Sequence, residues 1–230
     1  MVSNNKKLID FFGLHGSGKS TVYKATIELA VAEGVDLNLV TLRDFVPKWR
    51  KYPVLLCLVF IKIKDIFFIL YFFHRYAVFG KYNRQRMFSL LRLFLQTEYE
   101  YKSQSFDFYL HDGILHKLID VEFCSSSDVN QIFDLFWQRF KYKYVAIVIH
   151  EIDEKTYYER VEIRYKKNKG FAKYMDDNKV ASVWLERSRQ QYQIMRDIIK
   201  NSDVPFLVLA GSDKVERKAE QVLDFVLRLR

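Results

Sequence analysis

The sequence predicts an α/β fold in three layers, a five-stranded parallel sheet with helices on both faces. Three observations lead to it. Five short apolar runs, Leu8–Phe12, Leu37–Leu42, Phe106–Leu110, Tyr144–Ile149 and Phe206–Leu209, read as strands buried on both faces. Helical spacing fills the intervals: Val129, Ile132, Phe133, Phe136, Trp137 and Phe140 form one stripe, and Val215, Ala219, Val222, Leu223, Val226 and Leu227 another. The first strand also runs into a glycine-studded turn and then a helical pattern. That order of elements belongs to parallel sheets that bind ligands at the carboxyl ends of their strands.

The turn is Gly13-Leu14-His15-Gly16-Ser17-Gly18-Lys19-Ser20-Thr21. The chain has only 8 Gly in 230 residues, and three of them are here. The spacing is G-x-x-x-x-G-K-[ST], the P-loop. Its glycines let backbone amides converge on an anion, and the helix that follows adds its positive dipole end. Lys19 is placed to reach the outer phosphates of a nucleotide, and Ser20 to ligate Mg²⁺. Gly13, His15, Gly16, Ser17, Gly18, Lys19, Ser20 and Thr21 are the expected nucleotide-binding residues.

The next region, Tyr52 to Tyr82, is long and apolar enough to raise the question of a membrane span. Lys62, Lys64 and Asp65 interrupt it near its centre, and each charge at mid-bilayer costs about 2.5–3.5 kcal/mol on insertion scales. A span is therefore not expected. Two alternatives stay open: a helix buried against the sheet, or one that touches a membrane surface or a lipid-bearing substrate. Lys48, Arg50, Lys51, Arg75, Lys81, Arg84 and Arg86 flank the stretch and suit anionic groups. Arg75 and Arg84 are candidate acceptor-binding residues on that ground.

The third strand ends in "FYLHDG". A carboxylate at a strand tip beside a P-loop, here Asp112, can hold Mg²⁺ through water or accept a proton from an attacking hydroxyl. The simpler alternative is that it caps the helix after it. His111 and His116 flank the same point. Further on, Arg160 and Arg164 are four apart on a predicted helix and share a face. They lead into Lys166, Lys167, Lys169 and Gly170, the composition of a mobile basic flap. Arg187 and Arg189 follow, with salt bridges to Glu186 and Asp197 as their simpler explanation.

Hydrophobic residues make up 50% of the chain and aromatics 17%, and the formal net charge is +9. That balance favours anionic partners: nucleotides, nucleic acid, acidic glycans or anionic lipid. Two cysteines without metal-like spacing, Cys57 and Cys124, fit a reduced, cytoplasmic protein. "MVSNNKKLIDFF" does not read as a signal peptide. A peripheral contact at the inner face of a membrane and a homodimer are both compatible with this composition.

With these motifs in order, the chain resembles the thymidylate kinase family of P-loop kinases. "GLHGSGKST" matches the family's P-loop, and "VTLRDF" stands where the family has an Arg followed by an acidic residue. "YYERVEIRYKKNKG" is similar to its lid, and "VPFLVLAGSDKVERKAEQVLDFV" to its last strand, base-contacting loop and closing helix. The resemblance implies a single P-loop kinase domain over 1–230, with a helical acceptor-side insert at about 45–104 and a lid at about 160–178. It implies ATP and Mg²⁺, with Lys19, Asp112, Arg160 and Arg164 catalytic and Ser20 and Asp112 at the metal. It places Gly211 and Ser212 against the nucleotide, and Arg43 and Asp44 against the acceptor.

One departure matters. The family has Arg after the strand-tip Asp, where it grips an acceptor phosphate; here the residue is Gly113. A hydroxyl acceptor needs a base and fewer cationic clamps. The expected activity is therefore transfer of the ATP γ-phosphate to a hydroxyl of a small molecule or glycan, including a lipid-linked or lipopolysaccharide-type sugar. The alternatives are a dTMP kinase and a nucleotide-dependent regulatory or nucleic-acid-binding protein.

Overall fold

The computed structural model describes residues 7–35, 62–103, 108–111, 114–124, 128–167 and 178–229. The strands are β1 (Lys7–Gly13), β2 (Phe108–His111), β3 (Tyr144–His150) and β4 (Phe206–Leu209). The helices are α1 (Lys19–Ala32), α2 (Ile63–Tyr76), α3 (Lys81–Ser103), α4 (Ile114–Leu118), α5 (Val129–Phe140), α6 (Glu154–Lys167), α7 (Asn178–Lys200) and α8 (Val215–Arg228). The four strands described stand in the order β2-β1-β3-β4. β1 and β2 pair in parallel, Lys7 opposite Phe108 through Asp10 opposite His111. β3 and β4 do the same, Ile147 opposite Phe206 through His150 opposite Leu209. The mixed α/β class with a parallel sheet is as expected. The fifth expected strand, Leu37–Leu42, lies outside the described residues.

The chain divides into two compact units, Met1–Asp10 with Leu37–Val145, and Phe11–Asp36 with Ala146–Arg230.

The core of the first unit is aromatic. On α5, Val129, Ile132, Phe133, Phe136, Trp137 and Phe140 are all buried, the stripe the sequence predicts. Phe136 and Phe140 lie 4.6 Å apart by ring centroid, Phe72 of α2 lies 5.4 Å from Phe136, and Phe94 of α3 lies 5.7 Å from Phe140. Edge-to-face and tilted pairs like these add about 0.5–1.5 kcal/mol each beyond the area they bury. Much of the high aromatic content is thus accounted for by packing.

Polar ties complete this unit. The Asn83 amide donates to the carbonyls of Val78 and Glu122, both at 2.8 Å, and its oxygen accepts from the Glu122 amide at 3.1 Å. Arg86 pairs with the buried Asp120 at 3.1 Å. Asp65, one of the charges that argued against a membrane span, faces inward and accepts from Arg139 of α5 at 2.5 Å.

In the second unit, α1 and α8 pack together. α1 buries Val22, Thr26 and Ala30, four residues apart, and the Thr26 hydroxyl donates to the Val22 carbonyl at 2.9 Å rather than standing unpaired. α8 buries Ala219, Val222, Leu223 and Val226. Val215 and Leu227, at the ends of the predicted stripe, are half-buried. No helix among the described residues is long and apolar enough to cross a membrane.

Candidate functional site

The loop between β1 and α1 belongs wholly to the second unit, and its shape follows from its glycines. Gly16 and Gly18 have φ of 82° and 92°, a left-handed backbone that other residues adopt at a cost. Gly13 has a different reason. A Cβ there would stand 2.9 Å from the Cβ and carbonyl oxygen of His150 and from Ser17 Oγ. The loop can lie against the end of β3 only because Gly13 has no side chain.

The turn closes with the Ser17 amide donating to the Leu14 carbonyl at 3.2 Å, while the Thr21 and Val22 amides donate to Gly18 at 3.0 and 3.1 Å. The amides of Gly16, Gly18 and Ser20 have no acceptor among the described residues. Ser17 Oγ is buried and likewise has none there. A buried donor without a partner costs about 1–3 kcal/mol. An anion seated in the loop would satisfy them together, so the residues present fit a phosphate group.

Cations surround this loop. Lys19 Nζ donates to the carbonyls of Gly13 and Leu14, each at 3.0 Å, which arches the side chain back over the turn. Arg160 Nη1 donates to the Gly16 carbonyl at 3.0 Å. Its position is set locally. Asp153 caps α6 by accepting the Thr156 amide at 2.8 Å, and that bond is the main reason its carboxyl is held below the usual range. Tyr157 and Val161 then bury one stripe of α6, leaving Arg160 exposed beside it over the loop.

Lys218, on the buried face of α8, donates to the Gly211 carbonyl at 3.2 Å. Burial lowers its pKa; Asp213 opposes this, and Arg160 adds to it.

Behind the loop, His150 closes β3. Its ring is buried, and both ring nitrogens lack a hydrogen-bond partner among the described residues. Burial, then Lys19, then Lys218 push its pKa down to about 3. It is therefore a neutral imidazole wedged beneath a cationic loop, 5.5 Å from the Phe11 ring. The Tyr192 hydroxyl of α7 donates to the His150 carbonyl at 3.1 Å and pins the strand end. His15, in the turn itself, lies against Trp184 of α7 with centroids 5.7 Å apart.

The expected residues fare unequally. Gly13, His15, Gly16, Ser17, Gly18, Lys19, Ser20 and Thr21 form one loop, with the Ser20 and Thr21 side chains exposed. Arg160 is beside it. Arg164 lies in the last turn of α6, three residues before its end at Lys167. Gly211 and Ser212 form the turn after β4, where a Cβ on Gly211 would stand 3.1 Å from the Glu151 carbonyl.

Arg75 and Arg84 belong to the first unit and are exposed, Arg84 with its guanidinium 5.5 Å from the Phe79 ring centroid. Arg43, Asp44, Asp112 and Gly113 lie outside the described residues. Arg189 pairs with Glu154 at 2.5 Å and Glu186 at 3.2 Å, as its simpler explanation required. Asp197 is instead bonded by Arg196 at 3.3 Å.

Sequence reasoning missed Lys218 and His150. Lys218 carried a signal, since it falls among Val215, Ala219 and Val222 on an otherwise apolar stripe. His150 carried less: a histidine at the end of an apolar strand has no distinguishing pattern until the loop is seen resting on it.

No family model and no curated protein matches the chain. Among solved structures it is similar to thymidylate kinase from Ehrlichia chaffeensis, at 14% identity over 97% of this chain and 99% of that one, with a TM-score of 0.44. It is also similar to TT1252 from Thermus thermophilus, at 16% identity over 97% of each chain, with a TM-score of 0.42. Neither likeness is close enough to carry a residue's role across to this chain.

Proposed function

We propose that this protein is an ATP- and Mg²⁺-dependent phosphotransferase whose acceptor presents a hydroxyl. The observation that supports it most is the placing of Lys19 and Arg160 on a loop whose Gly16, Gly18 and Ser20 amides have no acceptor among the described residues. Phosphoryl transfer asks a protein mainly for positioning and charge neutralisation, and these groups supply both.

In this reading the amides of Gly16, Gly18 and Ser20 cradle the phosphates. Lys19 exchanges a loop carbonyl for a phosphate oxygen without leaving its place. Arg160 is exposed and held by a single bond to the Gly16 carbonyl, so it can turn onto the transferring group. The exposed Ser20 hydroxyl, in the first turn of α1, would hold Mg²⁺, which when bound neutralises the phosphate chain. The neutral His150 is tightly packed behind the loop and adds no charge to its positive field.

The choice of a hydroxyl acceptor rests on Gly113 following Asp112. The experiment is a competition with labelled ATP and Mg²⁺ among sugar and glycan acceptors, dTMP and other nucleoside monophosphates. The expected result is transfer to a hydroxyl acceptor. Turnover of any nucleoside monophosphate at rates typical of kinases, about 1–100 per second, would overturn the acceptor assignment while leaving the phosphotransferase in place. Failure to bind ATP at all would overturn both.

A further inference from the structure

The two faces of α2 are unlike in a way that packing among the described residues does not explain. This 14-residue helix turns Asp65, Ile69, Phe72 and Phe73 inward. Its outer arc carries Ile63, Phe67 and Tyr71, four residues apart, at 43%, 63% and 58% exposure. Lys64, His74 and Arg75 lie on that same arc and are exposed too. The helix has one acidic residue, Asp65, and that one is buried against Arg139. Just past the helix, Phe79 is 86% exposed, with Arg84 beside its ring. A solvated helix face does not ordinarily hold three large apolar residues, and it ordinarily mixes both signs of charge.

We infer that the outer arc of α2, with Phe79, seats the protein on the surface of an anionic lipid bilayer. The chemistry is that of an interfacial helix: apolar side chains enter the acyl boundary while cations on the same arc meet the headgroups. Fourteen residues of helix reach about 21 Å, short of the roughly 30 Å of a hydrocarbon core, so the helix lies along the surface and does not cross. Charge complementarity selects this occupant. A second copy docked face to face would set Lys64 and Arg75 against the same cations, whereas acidic headgroups neutralise them. The net charge of +9 acts in the same direction at longer range.

The experiment is vesicle co-sedimentation of the full chain with phosphatidylcholine alone and with phosphatidylcholine containing 30 mol% (roughly physiological) phosphatidylserine. Binding is expected only to the anionic vesicles, weakening as salt rises from 0.1 to 0.5 M (approximate values). Phe67→Ser with Tyr71→Ser, and separately Lys64→Glu with Arg75→Glu, should each weaken the partition about tenfold or more, since each cation near such a surface is worth about fivefold. All four side chains are exposed, so the melting temperature should hold. If a variant does lose its fold, the salt series on the unaltered protein still decides. Equal binding to neutral and anionic vesicles, or none to either, overturns the inference. So does a dimer in sedimentation equilibrium that the Phe67 and Tyr71 changes convert to monomer, because the arc would then be covered by a second copy.

Discussion

The β1–α1 loop and helix α2 were the two most conspicuous stretches of the sequence, and they became legible in opposite ways. In the loop, spacing sufficed. Glycines at 13, 16 and 18 dictate backbone geometry, and geometry dictates where amides point. In α2, composition named only a choice between burial and a surface contact. The structure shows one face in the aromatic core and the other exposed, and what meets the exposed face is a matter of inference. Asp65 shows the difference most plainly. As a letter in an apolar run it argued against a membrane span; in the fold it is half of an ion pair with Arg139. Backbone motifs act locally, whereas the meaning of a side chain on a helix depends on which neighbour arrives.

The largest expected effect tests the loop. Lys19→Ala should lower turnover about 10³-fold, and a small loss of stability should accompany it because two carbonyls lose their donor. Turnover at the unaltered rate would remove the loop from the chemistry and leave α2 as the more informative region.

Arg160→Ala comes next. A fall of about 10²-fold in kcat with little change in the KM for ATP is expected if the guanidinium acts on the transferring group. The side chain is exposed, so the melting temperature should not move. Equal changes in kcat and KM would instead make Arg160 a ground-state clamp.

On the α2 side, Arg139→Ala should destabilise the protein by about 1–2 kcal/mol in urea unfolding, because the buried Asp65 carboxylate loses its partner while Arg139 itself is partly solvated. No loss of stability would mean that the apolar stripe alone orients α2 and that its composition was sufficient after all.

The smallest effect concerns His150. Its folded pKa, about 3, lies below the ordinary 6.5. Above pH 6.5 both folded and unfolded chains hold it neutral, and it adds no pH dependence. Below 6.5 only the unfolded chain takes up the proton, so stability falls toward pH 3, by at most about 1.4 kcal/mol per pH unit. His150→Phe should flatten that slope between pH 6.5 and 5.5 by about 1 kcal/mol at pH 5.5, as read from urea midpoints. An unchanged slope would show that the imidazole is not the group being titrated against the loop.

Strand and helix identity were largely local matters. The runs at 8–12, 144–149 and 206–209 became β1, β3 and β4 with ends shifted by at most one residue, and the α5 stripe is buried at every expected position. Hydrophobic period and glycine spacing decide such features, because they depend on residues within a turn or two of each other. The partners of charges were not local. Arg160 reached the Gly16 carbonyl across 144 positions, His150 became neutral because of what closed over it, and Asp65 found Arg139 across 74 positions. Coulomb and desolvation energies depend on distance in space and on burial, and only the folded chain sets those.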